Sequence, residues 1–532
     1  MKDTYDYIIV GAGGAGCVMA HRLSRDPTCR VLLLESGPRN RHPFIHMPKA
    51  IGKALSLARL VWPFQTEASS ESNSAGEFWA RGNTLGGSTS VNGMMYVRGQ
   101  PADYAEVART AGSEWGWDAM GKAYREIENH ELGASATRGD AGPLHISMPT
   151  MRNALTEALI EAGVAMGLPR KRDTNEPDNG PGVGYAPRTI YKGRRESAAT
   201  AFLDPVRSRT NLVIETGMVV DRLIFAGRQV TGVAASRNGS PVSYHVTREV
   251  ILAAGALATP ALLQRSGIGP ADAMQSLGIA VVHDSPSVGT NVREHRAMVM
   301  QWKVPDELSF NRGHQGARLA GNVARYYLAK DGLLAAATYE IGAWFKTRPD
   351  IDRPDGQFLI APYSFDYAKG ALATESFGGM QFCVYYMRPE SRGSLRIKST
   401  DPRDLPVIAA SYHRDPGDRS AMIRVARTAR DYVRQSPLAG MVQEETRPGT
   451  QFETDDEVIA AYSRFGNGAY HASGTCRMGS DDASVVDPQL RVRGVDGVRV
   501  IDTSILPFLV AGNTAAPAMA MAWRAADLIE QG

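Results

Sequence analysis

The run Asp6-Tyr7-Ile8-Ile9-Val10-Gly11-Ala12-Gly13-Gly14-Ala15-Gly16 decides how the N-terminal part of the chain folds. Asp6 to Val10 is short, apolar and β-branched, and it stops at a glycine cluster, as a buried parallel strand does. Ala15 to Arg25 then has helical spacing, with Ala20 and Leu23 on an apolar face and Asp26-Pro27 beyond its end. Arg30 to Glu35 is a second apolar strand that ends in a carboxylate. The glycines fit G-x-G-x-x-G in the context that gives the pattern meaning: after a strand, at the start of a helix, with an acid at the expected distance. Gly11 makes the tight turn, Gly13 lets the backbone approach a pyrophosphate, and Gly16 lets the helix sit close to its strand. Free N–H groups of Gly13, Gly14 and Ala15 at the helix start suit phosphate. Glu35 is placed to accept hydrogen bonds from the adenosine ribose, and its charge disfavours a 2′-phosphate. The unit therefore predicts a dinucleotide site that disfavours NADP but does not separate NAD from FAD.

Further along, Pro38 to Ser90 has no clear periodicity and is rich in Gly, Ser and Asn, which predicts a long functional loop. Helical patterns follow at Ala102 to Ala111, Trp117 to Glu128 and Met151 to Met166, and strands at Leu212 to Glu215 and Val250 to Ala253. From about Arg296 to Phe465 the texture changes to alternating segments, such as Gln357 to Ala361 and Gln381 to Met387, with many aromatics. Val498 to Ile501 and the alanine-rich Ala515 to Ile529 return to nucleotide-domain character. The expected architecture is α/β: a Rossmann-like domain over residues 1–155, 196–298 and 465–532, and a second α+β domain on a mixed or antiparallel sheet over 156–195 and 299–464.

Composition narrows the function classes. Lys and Arg total 59 against 56 Asp and Glu, so the net charge of +3 gives nucleic-acid binding no support. Cys17, Cys29, Cys383 and Cys476 are too scattered for a disulfide scaffold or a zinc motif, which fits a reducing cytoplasm and no bound metal. Ile8 to Met19 is largely apolar, but its glycines do not suit a signal peptide. No apolar run reaches the length of about 18 residues that a membrane span needs.

Several blocks resemble the glucose–methanol–choline oxidoreductase family, in that family's order. They are Arg81-Gly82-Asn83-Thr84-Leu85-Gly86-Gly87-Ser88-Thr89-Ser90-Val91-Asn92-Gly93, running on to Arg98-Gly99; Gly255 to Pro260 with Ser266 to Gly269; and Val288 to His295, with Glu294 where Asp is usual. Ser391 to Leu395, Tyr470 to Gly479, Asp502 to Pro507 and Asn513 to Pro517 complete the set. The resemblance implies FAD and oxidation of an alcohol, with hydride passing to the flavin. Besides the fingerprint glycines and Glu35, it implies cofactor contacts at Ser36, Arg81, Leu85, Gly86, Gly87, Ser88, Asn92, Gly93, Met94, Val219, Ala254, Gly255, Asp502, Asn513 and Thr514. Some members bind FAD through a histidine in the first block; the corresponding Val91 has no nucleophile, so non-covalent FAD is expected.

By the same resemblance His471 takes the hydroxyl proton, a task that suits a base of near-neutral pKa. Asn513 matches the second position of the family's His–His or His–Asn pair and would donate to the substrate oxygen, although it could also cap the C-terminal helix. Tyr470, His471 and Glu340 are the expected substrate contacts; Glu340 sits among aromatics, as in choline-oxidising relatives. Other histidines, His295 among them, receive no catalytic role, and Cys476 is read as packing. A primary alcohol is the expected substrate and oxygen or a quinone the expected acceptor. The alternatives are choline as the specific substrate, an FAD-containing lyase that cleaves cyanohydrins, a non-catalytic FAD protein and a pyridine-nucleotide dehydrogenase.

Overall fold

A computed structural model of the chain describes residues 4–72, 76–369 and 373–531. Strand β1 (Thr4–Val10) and strand β2 (Val31–Glu35) pair in parallel, joined by helix α1 (Gly14–Leu23), as the opening segment predicts. Leu212–Thr216 extends the parallel pairing beyond β2. On the other side β1 pairs in parallel with Ser240–Leu252, whose end also pairs with Val498–Val500. Val250 to Ala253 is thus the tip of a 13-residue strand rather than a short one. Met218–Ala226, Gln229–Arg237 and Ser240–Leu252 form an antiparallel meander that the sequence reading missed. Helix α1 buries almost its whole surface between this sheet and the final helix Ala515–Gln531, and Arg22 pins the two helices through Asp527 and Glu530 at 2.7 and 2.8 Å.

The second sheet runs Glu444–Arg447, Arg296–Lys303, Gly379–Tyr386, Gly356–Ala361, Ile341–Phe345, Gly182–Tyr185, with Gly466–Gly468 also paired to Arg296–Met298. All of these strand pairings are antiparallel. Its two faces do different work because successive side chains point to opposite sides. Met298, Met300, Phe358, Ile360, Phe382 and Val384 pack against helices Ala154–Ala165, Pro416–Val433 and Asp455–Phe465. Ala297, Val299, Leu359 and Cys383, on the alternate positions, line the main cavity instead.

Two expectations need correction. Pro38 to Ser90 is not a bare loop: it holds short helices at Pro43–His46 and Ile51–Leu55 and the antiparallel pair Val61–Gln65 with Phe78–Gly82. The expected domain boundaries are also displaced. The break at 298/299 falls inside Arg296–Lys303, the one at 464/465 precedes Gly466–Gly468 of the same sheet, and helix Ala154–Ala165, cut by the break at 155/156, belongs wholly to the second core. Motif blocks mark chemistry, whereas strand pairing marks the domain, and the two end at different residues.

Candidate active site

A cavity of about 620 Å³ runs from the glycine turn of α1 to the second sheet. Close packing explains the fingerprint glycines. A Cβ on Gly11, at φ +99°, would lie 2.6 Å from the Ala253 carbonyl oxygen, and one on Gly16 would lie 1.8 Å from the Gly11 carbonyl oxygen. Gly13 differs: the nearest atom to its Cβ position is 3.9 Å away, so a side chain there would occupy the cavity rather than collide with the wall. Gly14 and Ala15 line the same region, at the helix start whose N–H groups lack intrahelical partners. Gly87 closes the opposite side, its Cβ position 2.7 Å from Gly13 Cα. Glu35 is buried against the cavity; its two oxygens accept from the Ala12 and Gly37 amides, both at 2.9 Å, and burial raises its pKa. Ser36, Arg81, Ser88, Asn92, Gly93, Met94, Val219, Ala254, Gly255, Asp502, Asn513 and Thr514 also line this space. Gly16, Leu85 and Gly86 stand behind the wall: Leu85 is in the core, and the Gly86 amide donates to the Ala12 carbonyl at 2.8 Å.

At the other end lies a row of three side chains. His471 Nε2 is 3.0 Å from Asn513 Nδ2, and its Nδ1 is 2.9 Å from His295 Nδ1. His295 Nε2 is in turn 2.9 Å from the Met387 carbonyl oxygen. The carbonyl fixes the order of protons, because it can only accept. His295 Nε2–H donates to it, leaving His295 Nδ1 as an acceptor; His471 Nδ1–H donates there; and His471 Nε2 keeps its lone pair, which Asn513 caps with an amide hydrogen. Glu294 holds the backbone under both rings: one carboxylate oxygen accepts from the His295 and His471 amides at 2.9 and 2.7 Å. Burial pushes the Glu294 pKa up to about 7, opposed by Arg81 at 3.6 Å. Burial takes His295 down to about 4 and holds His471 well below the usual histidine range.

A GMC oxidoreductase family model matches residues 5–297 and a second matches 389–522. The chain belongs to the GMC oxidoreductase family. It is 38% identical to an alcohol dehydrogenase (acceptor) of Pseudomonas putida, over 99% of this chain and 95% of that one. It is 37% identical to the mitochondrial choline dehydrogenase of Homo sapiens, over 99% and 90%. Among solved structures it matches pyridoxine 4-oxidase from Mesorbium loti with a TM-score of 0.90 at 31% identity, and an FAD-dependent oxidoreductase from Chaetomium thermophilum with 0.87 at 26%, each over 99% of both chains. FAD is the cofactor of this GMC oxidoreductase.

Within this GMC oxidoreductase the expected substrate contact Glu340 is not in the cavity. It is 3% exposed, pairs with Arg188 at 2.6 Å and accepts from the Ala337 amide at 2.8 Å. Its neighbour Tyr339 lines the cavity instead, because alternate residues of an extended segment face opposite ways. Tyr470 is at the cavity wall, 44% exposed, with a left-handed φ of +65° immediately before His471. Asn513 does not cap the C-terminal helix, since its side-chain oxygen makes no hydrogen bond. Cys476 is buried in the first core, in keeping with packing. Sequence reasoning missed His295 and the carboxylate role of Glu294. The only available signal was their position in the block Val288 to His295, which the spacing of His471 does not point to. It also missed Arg195, buried, whose guanidinium holds Asn92 through bonds of 2.7 Å.

Among the described residues, no helix is long and apolar enough to cross a membrane. No group of metal-ligating side chains is found among them either.

Proposed function

We propose that this GMC oxidoreductase converts a primary alcohol to its aldehyde, with His471 taking the hydroxyl proton and Asn513 holding the oxygen. The observation that carries the reading is the row of contacts from the Met387 carbonyl through His295 and His471 to Asn513; the proton order it implies leaves the Nε2 lone pair of His471 directed at Asn513 and the cavity. The glycine turn, Glu35, Ser88, Asn92, Asp502 and Thr514 are the groups we assign to FAD, and the open position at Gly13 supports that fit. When bound there, FAD supplies the acceptor for the carbinol hydrogen and its two electrons.

The protein's part is positioning and proton handling. A substrate hydroxyl replaces the Asn513 amide hydrogen at His471 Nε2 and donates its proton to that nitrogen. Asn513 has a second amide hydrogen for the substrate oxygen as negative charge builds there. Its side-chain oxygen has no partner, so the amide is free to reorient. The low pKa of buried His471 keeps the lone pair available at neutral pH. Oxygen or a quinone-type molecule is the acceptor we propose for the electrons. The four cysteines are all free thiols, which supports a cytoplasmic location.

Anaerobic mixing of the yellow protein with a panel of primary alcohols tests the reading. Loss of the flavin band at about 450 nm is expected, with its return on readmitting air if oxygen is the acceptor. A band unchanged by every alcohol, in protein that holds FAD, would overturn oxidation in favour of a lyase. The position equivalent to the covalent histidine is Val91, which is buried at the cavity wall. Acid precipitation should therefore leave the yellow chromophore in the supernatant; colour in the pellet would contradict non-covalent binding.

A further inference from the structure

Arg447 ends the edge strand Glu444–Arg447 of the second sheet and lines the cavity. Its guanidinium lies between two rings, 4.2 Å from the centroid of Tyr367 and 4.7 Å from that of Phe465. Nη2–H donates to the Phe465 carbonyl at 3.2 Å, while Nε is buried and makes no hydrogen bond. Among the described residues no carboxylate lies within ion-pair distance of Arg447, and the other charged side chain that acts on it is a cation, Arg464.

This is unusual chemistry for a wall. The other cavity arginine at this end, Arg81, has Glu294 at 3.6 Å. None of the residues that the second sheet and the aromatic mouth give the cavity is acidic: they are Ala297, Val299, Leu359, Cys383, Phe465 and Tyr470, with Tyr367 and Asn467. Glu340, the carboxylate that the sequence suggested for a cationic substrate, is sequestered on Arg188. A partly buried guanidinium with an unpaired N–H and no counter-charge is costly to leave so, and ring faces compensate only part of that cost. A carboxylate would complete it, because guanidinium N–H groups match carboxylate oxygens in charge and geometry.

We infer that the substrate is an alcohol carrying a carboxylate at the end remote from its hydroxyl, bound through Arg447 between Tyr367 and Phe465. The inference rests on the alcohol-oxidation reading above and names its substrate class. A quaternary ammonium alcohol such as choline meets a cation in this wall instead of an anion, and is disfavoured.

The test compares kcat/KM within sets of alcohols matched in length. One set is 6-hydroxyhexanoate, 6-hydroxyhexanamide and the 6-trimethylammonium hexanol; the other is 4-(hydroxymethyl)benzoate, its amide and the matching trimethylammonium compound. In at least one set the carboxylate should exceed the amide by about 10- to 100-fold, the range for a hydrogen bond to a charged group, and the cation should be poorest. Arg447→Gln should collapse the carboxylate-to-amide ratio to within about threefold, and Arg447→Lys should keep part of it. Calorimetry with hexanoate, which has no hydroxyl to oxidise, gives a readout free of turnover: binding should weaken at least about tenfold in Arg447→Gln. Amides that match or exceed their carboxylates in both sets, or a preference that survives Arg447→Gln, would overturn the inference while leaving alcohol oxidation standing. If no alcohol discharges the flavin band yet hexanoate binds through Arg447, oxidation fails and the anion site stands.

Discussion

Replacing His471 by alanine is expected to lower kcat/KM for every substrate alcohol by about 10²- to 10⁴-fold, in protein that keeps its FAD. Retention follows from geometry. The groups assigned to FAD are the α1 turn, Glu35, Ser88, Asn92, Asp502 and Thr514, and none of the hydrogen bonds that hold them uses the His471 side chain. The size follows from chemistry: the variant loses the group at which the proton leaves, and Asn513, an amide, cannot replace a base. The pH profile gives an independent check. Burial, then the His295 and Arg81 charges, hold the His471 pKa well below the ordinary histidine value. The wild-type acid limb of kcat/KM should therefore lie clearly below pH ~6.5, the value of a free histidine. The same shift links pH to stability. The unfolded chain binds the proton first as pH falls, so the contribution is fully present above pH ~6.5 and is lost below it, toward the folded value. His295, at about 4, acts with the same sign. A variant within about tenfold of wild type, on an FAD-normalised basis, would exclude His471 as the base.

How much of this could be read in advance varies with the kind of signal. The segment from Asp6 to Glu35 was fully legible, because glycine spacing, strand texture and a terminal acid each report a local backbone requirement. The meander from Met218 to Leu252 was legible and overlooked. Asn238-Gly239 sits between two β-rich runs with positive φ at both residues, 50° and 84°, the signature of a two-residue hairpin turn. The short helices between Pro43 and Leu55 were not legible, since elements of four or five residues have no period to detect. Glu340 failed for a different reason. An acid among aromatics reads as a cation site until its partner is known, and Arg188 is 152 positions away in the chain. His295 lies 176 positions from His471 and meets it where the two segments pair through Arg293 and Ser473 and Glu294 accepts from both backbones. Contacts at such separations are set by strand pairing, which composition and spacing do not encode.

His295→Leu should lower kcat by about 10²- to 10³-fold without loss of FAD, although His295 touches neither FAD nor the hydroxyl in this reading. Its role is positional. The Met387 carbonyl forces the His295 proton onto Nε2, which forces the His471 proton onto Nδ1. Leucine removes the acceptor and leaves a buried N–H unpaired, at a cost of about 1–3 kcal/mol. Moving the proton of His471 to Nε2 relieves that cost by letting it donate to Asn513 Oδ1 once the unpartnered amide turns over, and the lone pair then points away from the substrate. The residue stays but its basic nitrogen is turned to the wrong side. His295→Asn separates this from a general loss of packing, because Asn Oδ1 occupies the place of His Nδ1 and accepts the same hydrogen. It leaves the Met387 carbonyl unpaired and loses the stack on Tyr385, whose ring lies 5.0 Å from that of His295, so stability should fall in both variants. Activity should separate them. Asparagine should recover kcat to within about tenfold of wild type, as an intact tautomer requires, while leucine remains low with KM little changed. Equal losses in the two variants would show that His295 only fills space. A leucine variant with full activity would show that His471 keeps its proton on Nδ1 without help. The expected order, wild type above asparagine above leucine, is the one that a proton held in place by an acceptor produces and that packing alone does not.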